Sequence, residues 1–268
     1  MSTFVITLFF AGLLGLVCGA FVNTFLLRTP DGLRFTVGRR KCVTCARPMH
    51  VKDHVPLLSY VIMKGKCRAC KTVIPWQYPA LEVVMTLLFV GFAWQILALN
   101  ADMNPLSNTL GVSFGFFVRN AVMAMLLVPI FMFDYRASVI PDRLSVPAMI
   151  IALAMNAVLG VEPISMLVGG FLLGSFFAIQ YLASKGAWVG GGDIRMAMVM
   201  GFLLGPILGV FALLVAYITG AISGLYLLLT RRRDLHSHVP FGTFMVVGTF
   251  ISLFFGETVV AWYLGLLG

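Results

Sequence analysis

The chain has 268 residues, of which 60% are hydrophobic and 11% charged, with a net charge of +9 and a mean hydropathy of +0.99. Globular chains carry roughly 25% charged residues, so a water-soluble core is excluded and an all-α polytopic membrane protein is expected. The Lys and Arg excess does not mark a nucleic-acid binder, because these residues fall between apolar runs and not on one face of a soluble module.

Apolar runs near residues 4–26, 79–99, 113–133, 144–160, 164–183, 196–206, 208–229 and 240–264 predict about eight transmembrane helices. The first run has no basic segment before it, and Val17 stands before Cys18 where a lipoprotein cleavage site wants a small residue. Residues 1–26 therefore read as an uncleaved first helix, with Cys18 as ordinary helix packing. The stretch 196–229 is too long for one crossing, and Gly205, Pro206 and Gly209 in "LLGPILG" predict a turn that divides it. Eighteen of the nineteen Lys and Arg lie in alternate loops, Arg119 being the exception. The positive-inside rule assigns those loops to the cytoplasm and both termini to the outside.

Residues 27–78 form the one hydrophilic stretch, a small cytoplasmic domain between helices 1 and 2, and residues 79–268 supply the remaining helices. Within it Cys42 and Cys45, then Cys67 and Cys70, make two Cys-x-x-Cys pairs. Two such turns suit one tetrahedral Zn²⁺, each presenting two thiolates. A pair of disulfides is the alternative, disfavoured in a reducing cytoplasm, and redox or methyl-transfer chemistry at these thiols is a third reading. A closed Cys₄ shell has no open position, so this zinc is expected to staple a domain poor in apolar side chains and not to hydrolyse anything. His50, His54, His236 and His238 read as loop histidines.

Among the ten acidic residues, Asp31, Asp53, Asp102, Glu162 and Asp234 read as solvated loop charges. Glu82 is either a polar packing contact or a site residue, and Glu257 is structural or interfacial. Asp134 ends the third span, Asp142 begins the fourth and Asp193 precedes the sixth, which sets all three at the cytoplasmic edge of the bilayer. Two carboxylates brought together there share a proton, one acting as base toward water and the other as acid toward a carbonyl, the division of labour that peptide hydrolysis needs. Gly190, Gly191 and Gly192 before Asp193 are expected to permit positive φ and close approach of a substrate strand. The rival reading is a transporter or channel with a zinc-stapled domain, which would put acids near the bilayer midplane and show repeat symmetry.

"GGGDIRMAM" with "FDYRASVIPDRLSVP" upstream resembles the active-site pair of type IV prepilin peptidases, membrane aspartyl proteases of the Gly-x-Gly-Asp class. "CGAFVNTFLLRTP" at 18–30 is similar to that family's first-helix signature, and the segment 54–89 to its lead into the second helix. The resemblance implies that Asp134 and Asp193 are catalytic, with Asp142 in a supporting role or capping the fourth span. It also implies a prepilin or type II secretion pseudopilin substrate, cut at the cytoplasmic face of the bacterial inner membrane. N-methylation of the new terminus by S-adenosylmethionine, associated with the cysteine domain, is implied as well. His54 departs from the pattern, in which an Asn is usual. A basic leader gains nothing from a basic domain, so recognition is expected through lateral encounter in the bilayer, with the basic surface facing anionic lipid. Oligomeric state is not legible.

Overall fold

Long apolar segments with hydrophobic residues on every side form helices in lipid, because only a helix satisfies each backbone N–H and C=O internally. The computed structural model describes residues 2–29, 45, 56–99, 109–230 and 240–266. Its helices are α1 (Ser2–Arg28), α2 (Leu58–Ile62), α3 (Gln77–Leu99), α4 (Thr109–Ala137), α5 (Asp142–Val158), α6 (Pro163–Ser184), α7 (Gly191–Leu229), α8 (Phe241–Ile251) and α9 (Glu257–Gly265). A π-helical turn, Ser252–Gly256, joins the last two. Among the described residues, six spans are long and apolar enough to cross a membrane: Phe4–Leu27, Gln77–Ala98, Gly111–Ala137, Pro163–Ser184, Gly191–Leu229 and Phe241–Gly265. The helix α5, at 17 residues, falls just below that length.

The two expected runs at 196–206 and 208–229 thus lie in one element, yet the chain does fold back inside it. Gly205 has φ 75° and ψ −175°, a conformation open in practice only to glycine. A Cβ built on Gly209 would come within 3.7 Å of the Cα of Gly201. Residues eight apart in a straight helix are about 12 Å apart along the axis, so α7 is an antiparallel hairpin with its apex at Gly205. Its first arm, 191–204, is about 21 Å long at 1.5 Å per residue. The arm ends with carbonyls that have no helical partner, and Asn156 of α5, fully buried, donates its amide to two of them, Phe202 O at 2.9 Å and Leu203 O at 3.1 Å. The helix α6 lays Gly169 directly on Gly201, the close backbone approach typical of packed membrane helices.

The chain divides into two compact units, Met1–Met125 and Leu126–Gly268. In the first, α1 packs on α3, with Gly15 set against Met85 and Phe89 and Gly19 against Glu82 and Met85. Arg119, the basic residue outside the loop pattern, is buried in α4. It donates to Asn120 Oδ1 and lies 4.7 Å from the Phe116 ring centroid. In the second unit, α7 packs against α5, α6 and α8.

Candidate functional site

The last turn of α4 carries Asp134, which is 4% exposed. The helix closes behind it with Ser138 N–H donating to Asp134 O at 2.8 Å, and the chain leaves through Ile140 and Pro141 into α5. Asp193 sits in the first turn of α7 and is half-buried. Its Oδ2 accepts the Gly190 N–H at 3.0 Å, while its own N–H donates to Gly190 O at 3.1 Å, the acidic half of a capping box. A third element completes the site. At the start of α8 the Thr243 N–H donates to Asp134 Oδ2 at 2.6 Å, and a Cβ on Gly242 would lie 2.8 Å from that same oxygen.

Ile140 links the parts. A Cβ on Gly192 would meet Ile140 Cβ at 2.9 Å, and one on Gly242 would meet Ile140 Cδ1 at 2.7 Å. Gly192 and Gly242 are therefore glycines because their neighbours occupy the space a side chain would need. The two carboxylates lie close enough for the charge of Asp193 to act on Asp134. Each accepts one backbone amide through Oδ2.

Two sequence expectations need correction here. Gly190 has φ −80° and neither Gly191 nor Gly192 has positive φ, so this loop does not use glycine for left-handed backbone. Close packing accounts for Gly192, whereas a Cβ on Gly191 would meet nothing within 4 Å. Asp142 does not cap α5 by hydrogen bond. Pro141 holds the cap position, and Asp142 Oδ1 instead pairs with Arg195 Nη2 at 2.6 Å. Its side chain is 63% exposed and that of Arg195 34%, so the pair ties the start of α5 to the first turn of α7 at the surface.

The segment Pro240–Thr243 went unread in the sequence because its contribution is a main-chain N–H. The available signal was "PFG" at the head of an apolar run, where Pro suits a helix start but Gly lowers helix propensity and so asks for another reason.

In the first unit the buried Glu82 spends Oε1 on Asn23 Nδ2 at 3.1 Å and Oε2 on the Leu57 N–H at 2.7 Å. Leu57 has φ 55°, costly for a branched residue, and the carboxylate pins it. The segment that follows is a knuckle. Lys66 pairs with Val73, Cys67 N–H donates to Thr72 O at 2.9 Å, and Lys71 N–H donates to Cys67 O at 3.0 Å. The Sγ atoms of Cys45, Cys67 and Cys70 all lie within 4.8 Å of one another, a group able to hold a metal ion. Cys42 lies outside the described residues, as do Asp31, His50, Asp53, His54, Asp102, Asp234, His236 and His238. Beside the knuckle is a cavity of about 600 Å³ lined by Ile62, Met63, Lys64, Lys66, Cys67, Arg68 and Lys71. Glu257 is exposed on the last span.

Two carboxylates at the ends of separate helices and a cysteine cluster thus stand in an all-helical multi-pass membrane protein. The bacterial peptidase A24 N-terminal domain matches residues 13–96, and the type IV leader peptidase family matches residues 121–225. The chain belongs to the type IV leader peptidase family. It is 28% identical to a prepilin leader peptidase/N-methyltransferase of Bacillus subtilis (strain 168), over 93% of this chain and 95% of that one. Proteins of the same name from Pseudomonas putida and Burkholderia pseudomallei (strain K96243) are 26% and 29% identical. Those alignments cover 96% and 92% of this chain, and 94% and 85% of theirs. No solved structure matches the chain.

Proposed function

We propose that Asp134 and Asp193 are the catalytic dyad with which this chain, a prepilin leader peptidase/N-methyltransferase by family, cleaves the leader of a type IV prepilin or type II secretion pseudopilin. One observation carries the assignment. The two carboxylates come from different helices whose ends meet around the Ile140 side chain, and each is anchored through Oδ2 by a backbone amide.

The pair shares a proton across its free oxygens. The ionised member takes a proton from a water as that water's oxygen bonds to the scissile carbonyl carbon. The protonated member gives its proton to the carbonyl oxygen, leaving a gem-diol. A proton then passes to the amide nitrogen as the C–N bond breaks, releasing a carboxylic acid and a new amine. Holding both groups on packed helix ends supplies orientation before the substrate arrives.

Charge placement supports a bacterial inner-membrane location with the dyad at the cytoplasmic edge and both termini outside. Eight crossings meet this if α5 and the two arms of α7 each count as one; the short first arm is admissible because it packs among other helices.

Zn²⁺ fits the cysteine cluster. Thiolates about 2.3 Å from a tetrahedral zinc stand about 3.8 Å apart, and three of the sulfurs already gather within 4.8 Å. Cys42, Cys45, Cys67 and Cys70 would hold one structural ion. The resemblance implies S-adenosylmethionine as methyl donor. Among the described residues, the cavity by the knuckle is lined by four cations, Lys64, Lys66, Arg68 and Lys71.

The test is to incubate the purified protein with a synthetic prepilin-type peptide and read cleavage and product mass together. A released mature peptide, heavier by one methyl group when S-adenosylmethionine is supplied, is expected. An uncut peptide would overturn the proposal.

A further inference from the structure

A buried peptide bond under attack needs more than the dyad. With one oxygen of each aspartate committed to backbone, the dyad offers the water and the carbonyl one free oxygen apiece. The dyad's proton goes to one lone pair of the carbonyl oxygen, and the second lone pair is open to a fixed donor that steadies the oxygen until that proton arrives.

We propose that Tyr217 is a third catalytic residue, its phenol O–H donating a hydrogen bond to the scissile carbonyl oxygen as that oxygen becomes tetrahedral. The proposal rests on the dyad reading above. The α7 hairpin places Tyr217. Asp193 stands twelve positions before Gly205 and Tyr217 twelve after it. An antiparallel hairpin sets equidistant residues level with each other, as the contact between Gly201 and Gly209, four positions to either side of the apex, illustrates. Tyr217 thus lies beside Asp193 on the neighbouring arm, near enough to feel its charge.

Two further contacts aim the phenol. Its ring packs on Phe241, centroids 4.9 Å apart, and Phe241 immediately precedes the Gly242 and Thr243 that hold Asp134. The Gln180 side chain of α6 lies near its phenol. Gln180 Nε2 already donates one hydrogen to Phe176 O at 3.2 Å. Its second hydrogen is available to the phenol oxygen, which would leave the phenol proton for a substrate. Tyr217 is 40% exposed, so a bound strand can reach it. No proton leaves the phenol in this role, and the atom balance of the hydrolysis is unchanged.

The experiment uses the full-length protein in detergent with a prepilin-type peptide. Tyr217→Phe keeps the ring and removes one oxygen; its kcat should fall on the order of 10²-fold with KM little changed, as for loss of one oxyanion donor. Its affinity for a peptide carrying a hydroxyl-bearing tetrahedral isostere at the scissile bond should fall by a similar factor, which a merely structural role would not produce. A kcat within about threefold of wild type would overturn the proposal. Asp193→Asn run in parallel separates the two readings: inactive Asp193→Asn with active Tyr217→Phe defeats only the tyrosine, whereas active Asp193→Asn defeats the dyad and the tyrosine with it. Should Tyr217→Phe fail to accumulate in the membrane, 3-fluorotyrosine at position 217 decides: it keeps the hydroxyl but loses its proton at lower pH, so the fall of kcat at high pH should begin at lower pH than in wild type, and an unchanged profile would overturn the role.

Discussion

The Thr243 N–H donates to Asp134 Oδ2 at 2.6 Å across 109 residues of sequence. The first turn of a helix has N–H groups with no helical partner, and its dipole favours a carboxylate. The start of α8 thereby orients Asp134 with main chain alone, and Gly242 lets it come close enough to do so.

Gly242→Ala should cost about 10²-fold in kcat/KM, the scale of a misplaced catalytic group. In a helix Gly to Ala is intrinsically favourable by about 1 kcal/mol, so a loss can come only from the new Cβ pressing on Ile140 and Asp134. Gly191→Ala, with open space around it, should leave cleavage unchanged. Peptide-cleavage kinetics on the two variants make the comparison.

Thr243→Pro removes the N–H in the first turn of α8, where Pro is tolerated, and should abolish cleavage while the protein still inserts. Thr243→Ala keeps the amide and gives up only the bond from Oγ1 to Pro240 O, so it should retain most activity. Equal activity in the two variants would show that the amide does not hold Asp134.

The hairpin apex makes a stability prediction. Asn156→Leu leaves the Phe202 and Leu203 carbonyls without their donor and should cost about 1–3 kcal/mol, lowering the thermal unfolding midpoint in detergent. An unchanged midpoint would mean the amide contributes nothing at that turn.

Much of this site is legible in the sequence because side chains carry it. Asp134, Asp193 and the cysteines have the residue types and spacing that the proposed chemistry asks for, and Gly205 with Pro206 marks the fold-back. Other parts depend on tertiary distance. No local pattern says that the amide of Thr243 reaches Asp134, that Arg195 meets Asp142, or that Tyr217 comes level with Asp193 once α7 folds over. Gly192 misled in a different way: glycine before a candidate acid reads as conformational freedom, yet its φ is ordinary and the Ile140 side chain is what excludes a Cβ. Asp142, a good helix cap by type, is drawn off by a cation that only the packing of α7 brings near.

The exposed pair of Asp142 and Arg195 is worth at most about 1 kcal/mol. Asp142→Asn should therefore keep substantial cleavage activity, and a total loss with normal expression would move the catalytic role to Asp142.

Metal content follows from the cysteine cluster. Elemental analysis should find about one zinc per chain, and Cys67→Ser with Cys70→Ser should lose it together with several kcal/mol of metal-coupled folding, on the order seen for structural sites. Cleavage should suffer less than methylation or stability. Zinc-free protein with two disulfides, prepared under reducing conditions, would refute the assignment.

The most direct test is turnover of a prepilin-type peptide by Asp134→Asn and Asp193→Asn, each checked for normal insertion. With one acid neutralised the dyad lacks either its base or its proton donor, so both variants should show no cleavage above background. Near wild-type turnover by either one would contradict the dyad.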